Sequence, residues 1–346
     1  MSAERAWTWG VLALALALRL AGIGWCLPAP GRPLSYVPDE STLFLILERM
    51  QEAGHPVAEG GSYQTPLHPI LVGGLCKALS WTGVLHLPAS REEAAADPGI
   101  LAPLYVVGRS LSLAMALATV WAVIRFGTFL WKDARAGVTA GALVAMAPAH
   151  IVQSHLNLFN VPAALWWTLA AWAGARGAEA PTKRSAAAMG LAFGAAVGTK
   201  LSCALALPAL VLALWRGRAT GRIWATFAAC AAFAGVLSFP PLVTDPSGVL
   251  EMFSRIRSAH GVGEVPPILA RCAMLGKWMA WGWGPPLLVA AVAGSLRRDT
   301  RLPYLLAHLL PIPAAILLAR GGSLALLIPA IPFAALAAAP VVARPR

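Results

Sequence analysis

Apolar residues gather in blocks separated by short polar joints, at 7–27, 100–125, 134–150, 161–175, 185–198, 201–215, 223–243, 277–296, 302–318 and 324–342. A hydrocarbon core about 30 Å thick takes roughly 20 helical residues, and the blocks are of that order. None shows the alternation of a barrel strand. The pattern predicts an all-α, polytopic transmembrane bundle of about ten helices in a single domain, 1–346. Two polar excursions interrupt it, at 28–99 and 244–276. Within the first, 38–53 reads as an amphipathic helix, with Pro38 at its entry, Asp39 and Glu40 in its first turn, and Phe44, Leu47 and Met50 at helical spacing.

Composition supports lipid as the solvent. Hydrophobic residues make up 58% of the 346 and charged residues 12%, against roughly 25% charged in a soluble domain. The net charge of +12 invites a nucleic-acid reading, but its distribution argues for membrane orientation. Lys132 and Arg135, Arg176 with Lys183 and Arg184, Arg216 with Arg218 and Arg222, Arg297 with Arg298 and Arg301, and the terminal Arg344 and Arg346 all fall in alternate joints. With Arg5 and the N-terminus in the cytoplasm, every cluster is cytoplasmic, which is the positive-inside rule. The remaining joints, which carry nearly all the acids and histidines, then face outward. The segment 66–87 is apolar enough for a helix, but a crossing there would invert every later cluster. It is therefore expected to lie on the outer leaflet as an interfacial or re-entrant helix. Arg19 interrupts the first apolar run, and no small-x-small cleavage site follows, so a retained first helix is expected rather than a signal peptide.

The first outer excursion offers the main candidate for chemistry. Asp39 and Glu40 either begin a helix or supply a carboxylate at the membrane boundary as a general base. The five cysteines show no paired spacing, and only Cys26 and Cys76 fall where an external disulfide can form.

Several elements in order resemble one family. They are an Arg in the first helix, the Pro38-Asp39-Glu40 box, Tyr63-Gln64-Thr65-Pro66-Leu67, Gly108-Arg109-Ser110-Leu111-Ser112, Pro148 with 154–162, Gly190 to Lys200, and 240–260. This series is similar to the GT-C membrane glycosyltransferases, and within them to the protein O-mannosyltransferase and aminoarabinose-transferase group. The resemblance is collinear over nearly the whole chain. It implies a transferase in the plasma membrane of a bacterium, with its active face external. Such an enzyme moves a sugar from a polyprenyl-phosphate-linked donor to an acceptor that is a protein, a lipid or a glycan. In that reading Asp39 deprotonates the acceptor, Glu40 positions the site, and a fixed cation stabilises the departing phosphate. Lys200, isolated between two short apolar helices, is the first candidate for that cation, with snorkelling to the interface as the bland alternative. Arg109 wants a phosphate or a structural carboxylate, and Arg320 is a third candidate. Tyr63, Gln64, His155 and His260 are further candidates for sugar or phosphate contacts.

Two departures bear on function. Asn160 stands where many relatives carry an acid, and Asn cannot take a proton at neutral pH. Gln64-Thr65 replaces the charged pair of the aminoarabinose transferases. A different donor or acceptor is implied, with a degenerate scaffold as the extreme case. A transporter or lipid-linked-sugar flippase is the rival from another class, but two repeated halves are not visible. His150 and His155 lack a third ligand, so no metal or other cofactor is expected, and neither is a nucleic-acid partner.

Overall fold

Where a chain lies in lipid, its backbone polar groups must be satisfied within the protein, and helices do this without a partner strand. The computed structural model describes residues 3–30, 32, 35–55, 66–89, 91–261, 267–318 and 324–343. In chain order its helices are α1 (Ala3–Leu20), α2 (Pro38–Ala53), α3 (Leu67–Trp81), α4 (Arg91–Ala96), α5 (Leu101–Trp131), α6 (Ala134–Met146), α7 (Pro148–Ser154), α8 (Asn160–Glu179) and α9 (Lys183–Thr199). They continue as α10 (Leu207–Arg216), α11 (Gly221–Ser238), α12 (Pro241–Thr244), α13 (Pro246–Gly261), α14 (Ile268–Trp283), α15 (Pro285–Ser295), α16 (Leu302–Leu309), α17 (Pro311–Leu318) and α18 (Ile331–Val342). Short 3₁₀ segments, Pro98–Ile100, Leu201–Ala206 and Leu324–Ala330, lead into α5, α10 and α18. No strand occurs among the described residues. The protein is the all-α membrane bundle that its hydropathy implies.

Continuity is where the structure departs from the apolar blocks. Among the described residues, three continuous stretches have the length and apolarity of a crossing: Pro98–Trp131, Gly221–Ser238 and Leu324–Val342. A fourth, α6 with α7, is bent by 62° at Pro148. The block at 277–296 begins earlier than expected, at Ile268, and is cut at Gly284, which has φ 84° and precedes Pro285-Pro286. The block at 302–318 is cut before Pro311. Proline lacks the N–H of the helical ladder and its ring clashes with the preceding turn, so each of these prolines starts a new helix rather than continuing one. The first block ends at Leu20 and continues as turns through Cys26. Cys26, Cys76 and the other three cysteines are free, so the external disulfide does not form.

The excursion at 28–99 holds α2, α3 and α4. α3 is 15 residues long, too short to cross unaided. It packs on α2 and α5 through a small cluster of Val72, Cys76, Leu85 and Leu104. Phe44 of α2 lies against Tyr105 of α5 with ring centroids 4.3 Å apart, and Ser41 Oγ meets the Tyr105 hydroxyl at 3.3 Å. These contacts fix the rotation of α2.

The main core runs through α5, α6, α8, α9, α10 and α18, and the stretch from Ile331 to Ala339 is buried throughout. Small residues allow close helix approach in lipid. Gly190 and Gly194 of α9 lie against the α11 backbone, where a Cβ would crowd the carbonyls of Phe227 and Ala231. Arg19 is fully buried and serves the bend between α6 and α7. Its guanidinium donates to the carbonyls of Ala145 (3.1 Å) and Val144 (3.5 Å) and to His150 Nδ1 (2.8 Å). It thereby supplies donors to carbonyls at the break in the helix.

Candidate active site

Consecutive helical residues point about 100° apart around the axis, so Asp39 and Glu40 cannot face the same surroundings. Once Phe44 and Ser41 set α2 against α5, Glu40 turns inward and is fully buried, while Asp39 remains exposed. Glu40 is saturated with donors. Arg109 Nε donates to Oε1 at 3.0 Å and Nη2 to Oε2 at 2.7 Å. Ser35 Oγ donates to Oε2 at 2.7 Å, and the Asn157 backbone N–H to Oε1 at 2.6 Å. A carboxylate so enclosed has no room to take a proton from an acceptor. These four donors fix Glu40 in place.

Arg109 is equally committed. Besides the bidentate pair with Glu40, its Nη1 donates to the carbonyls of Ile23 (2.9 Å) and Trp25 (2.6 Å). Of the two partners its sequence position called for, the structural carboxylate is the one it has. The knot therefore ties α1's end, α2, α5 and the segment before α8 together. Gly108, next to Arg109, makes room for it: a Cβ there would overlap the Asn157 side chain. Asn157 Oδ1 in turn accepts from His68 Nε2 at 3.0 Å, which adds α3.

Asp39 hydrogen-bonds to none of the described residues, and the field of its carboxylate reaches Lys200. Lys200 sits in the break between α9 and the 3₁₀ segment that follows, its backbone extended and its side chain almost wholly buried. Its ammonium donates to Asn160 Oδ1 at 2.6 Å and, more weakly, to the Ala325 carbonyl at 3.4 Å. It lies 5.4 Å from the Phe159 ring centroid. Asn160 is held in turn, its Nδ2 donating to Gln153 Oε1 at 2.8 Å. All of these partners are neutral. Burial draws the Lys200 ammonium down to about 8, and the Asp39 carboxylate works in the opposite direction. A buried cation with only neutral ligands and one exposed acid in its field is a ready place for an anion.

His155 takes no part in this pair. Its half-buried ring bonds the Leu18 carbonyl through Nε2 at 3.1 Å, against Gly22, where a Cβ would overlap the ring. His150 is occupied by Arg19. Tyr63, Gln64 and Arg320, and the side chain of His260, lie outside the described residues. Sequence reasoning passed over Ser35, Gln153 and His68, which complete the two networks. No spacing rule marks them, because their roles come from contacts between distant segments. Asn157 fell within the 154–162 motif without a role of its own.

No family model and no curated protein matches the sequence. Solved structures do resemble the fold. The crystal structure of ArnT from Cupriavidus metallidurans bound to undecaprenyl phosphate aligns with a TM-score of 0.69 at 16% identity, covering 100% of this chain and 61% of that one. The oligosaccharyltransferase of Archaeoglobus fulgidus in its apo form aligns with a TM-score of 0.60 at 13% identity, covering 98% of this chain and 50% of that one. The archaeal oligosaccharyltransferase AglB from Archaeoglobus fulgidus, in complex with an inhibitory peptide and a dolichol-phosphate, aligns with a TM-score of 0.57 at 14% identity over 98% of this chain and 50% of that one. The chain thus spans about half to three-fifths of the length of the structures it resembles. The likeness is one of fold: the chain shares the all-α membrane architecture of these structures.

Proposed function

We propose that this protein is a membrane glycosyltransferase that moves a sugar from a polyprenyl-phosphate-linked donor to an acceptor at the outer face of the bilayer. One observation carries the reading: exposed Asp39 and buried Lys200 stand within each other's field, and Lys200 has no anionic hydrogen-bond partner among the described residues. The fold neighbours support the donor class, since one was solved with undecaprenyl phosphate and another with a dolichol-phosphate. The basic loops support the orientation.

In this reading the acceptor hydroxyl lies against Asp39, which takes its proton as the oxygen attacks the anomeric carbon. The bond from that carbon to the phosphate oxygen breaks, its electrons leave with the phosphate, and the configuration inverts. Lys200 faces the growing negative charge, and the Asn160–Gln153 pair keeps the ammonium in place. A preoriented cation in a water-poor site is most effective at that stage. Glu40 and Arg109 hold α2 so that Asp39 points outward. No cofactor is invoked.

The test is transfer itself. Membranes containing the protein, given a radiolabelled polyprenyl-phosphate hexose, should release label from the lipid carrier into an acceptor fraction. Movement of the intact labelled lipid between leaflets, with no label leaving the carrier, would instead identify a translocator.

A further inference from the structure

At the end of the bundle away from Asp39, a cavity of about 410 Å³ opens between the end of α5, the start of α6, the α15–α16 turn and the end of α18. Arg109 and Trp131 lie on one continuous helix, which puts this cavity about 33 Å from the Glu40–Arg109 knot at about 1.5 Å per residue. That is roughly the thickness of a hydrocarbon core. Arg135, Arg297 and Arg301 line it together with Asp133 and Asp299.

The two acids are turned to the backbone. Asp133 Oδ1 accepts from the Arg135 N–H and Asp299 Oδ1 from the Arg301 N–H, both at 2.9 Å. Neither forms an ion pair with the arginines among the described residues. Arg297 Nη1 is buried and has no acceptor there. A guanidinium nitrogen left without a partner out of water is costly. Arg301 lies over the Trp131 ring at 5.9 Å, and that ring is pinned by its own bond to the Leu336 carbonyl at 2.9 Å. By contrast Lys132, one residue on, is exposed and paired with Glu179 at 2.9 Å. Simple orientation of a loop in the membrane asks only for solvated charge. It does not account for a concave site with a fixed aromatic wall and a buried guanidinium nitrogen that lacks an acceptor among the described residues.

We propose that this cavity is a phosphate-binding site, filled by the phosphate of an anionic lipid headgroup or by free inorganic phosphate. Three arginines around one space supply donors that match the several oxygens of a phosphate. Basic pockets between helices at a membrane surface are suited to headgroups, and Pro340 and Ala343 supply an apolar side for a lipid's glycerol end. The site is independent of the transfer reaction.

The full-length protein is placed in nanodiscs of phosphatidylcholine alone or of phosphatidylcholine with phosphatidylglycerol. Retained anionic lipid is counted by native mass spectrometry and the thermal midpoint is recorded. A parallel series titrates inorganic phosphate against chloride at equal ionic strength. Wild-type protein should retain phosphatidylglycerol or be stabilised by phosphate. Arg297→Gln with Arg301→Gln should weaken that binding about ten- to a hundredfold. Arg216→Gln with Arg218→Gln, which removes equal charge from another basic loop, should leave it intact. A response to the lipid alone assigns a headgroup, and a response to inorganic phosphate alone assigns a soluble ion. The proposal is overturned if wild-type protein responds to neither, or if the control pair loses as much as the cavity pair. Should the cavity double variant fail to fold, Arg135→Gln, at the exposed rim, decides in its place: weakened lipid or phosphate binding there supports the site, and binding equal to the wild type's overturns it.

Discussion

Two cations and two carboxylates share one end of this bundle and are arranged in opposite ways. Glu40 and Arg109 are both fully buried, bidentate, and supplied with further partners from Ser35, Asn157, Ile23 and Trp25. Asp39 is exposed, and Lys200 is buried against an amide, a carbonyl and a ring. The first pair has nothing left to offer a substrate. Its worth lies in holding four segments in register, and breaking it strands a charge in a dry interior. The second is incomplete as it stands, and incompleteness in a polar site is what a ligand can satisfy. Two acids one residue apart therefore stand in opposite surroundings, one enclosed by donors and one exposed; in the proposed reading the first is architectural and the second chemical.

The sharpest way to break this division is Asp39→Asn, which keeps the shape and removes the proton acceptor. Turnover of a labelled lipid-linked sugar should fall about 10²–10⁴-fold, while the thermal midpoint stays at the wild-type value. Wild-type turnover would reduce Asp39 to a helix-start residue.

Glu40→Gln should do the reverse, acting first on stability. Leaving Arg109 buried without its counter-charge costs about 3–5 kcal/mol, read as a lowered midpoint or reduced yield of folded protein. Combining it with Arg109→Met should recover part of that loss, because no unpaired charge remains. A Glu40→Gln protein that melts normally but turns over slowly would move Glu40 into the chemistry.

Lys200→Met should raise the KM for the donor about ten- to a hundredfold, the effect of one charge-assisted contact, and Lys200→Arg should keep part of the affinity. Identical donor kinetics in Lys200→Met would leave the ammonium merely snorkelling.

The smallest effect is on pH dependence. With the ammonium drawn down to about 8 by burial, the charged form prevails below that value and is lost above it. Donor affinity should therefore decline as pH rises through about 8, by a few-fold per unit. In Lys200→Arg the decline should vanish, since arginine stays charged. An identical decline in that variant would place the titration elsewhere.

Local chemistry determined much of this protein. The density of apolar residues required lipid, and lipid requires helices, because unpaired backbone groups are too costly there. The block at 324–342 has the bounds of the observed stretch, and Pro38-Asp39-Glu40 does open a helix. The resemblance carried by the ordered motifs points to the same GT-C fold that the solved structures share. Tertiary structure alone decided the rest. The rotation of α2, set by its packing on Tyr105, chose which of two adjacent carboxylates faces inward. The partner of Arg109 lies 69 positions away in sequence and that of Lys200 lies 40 away, distances over which composition carries no information about pairing. Gly108 proved to be space for Asn157, a residue on another segment. Helix breaks at Gly284 and before Pro311 divided blocks that hydropathy alone runs together. Hydropathy and helix-start preferences act over a turn or two of chain and are legible there, whereas the saturation or exposure of a charge depends on which distant segments meet around it.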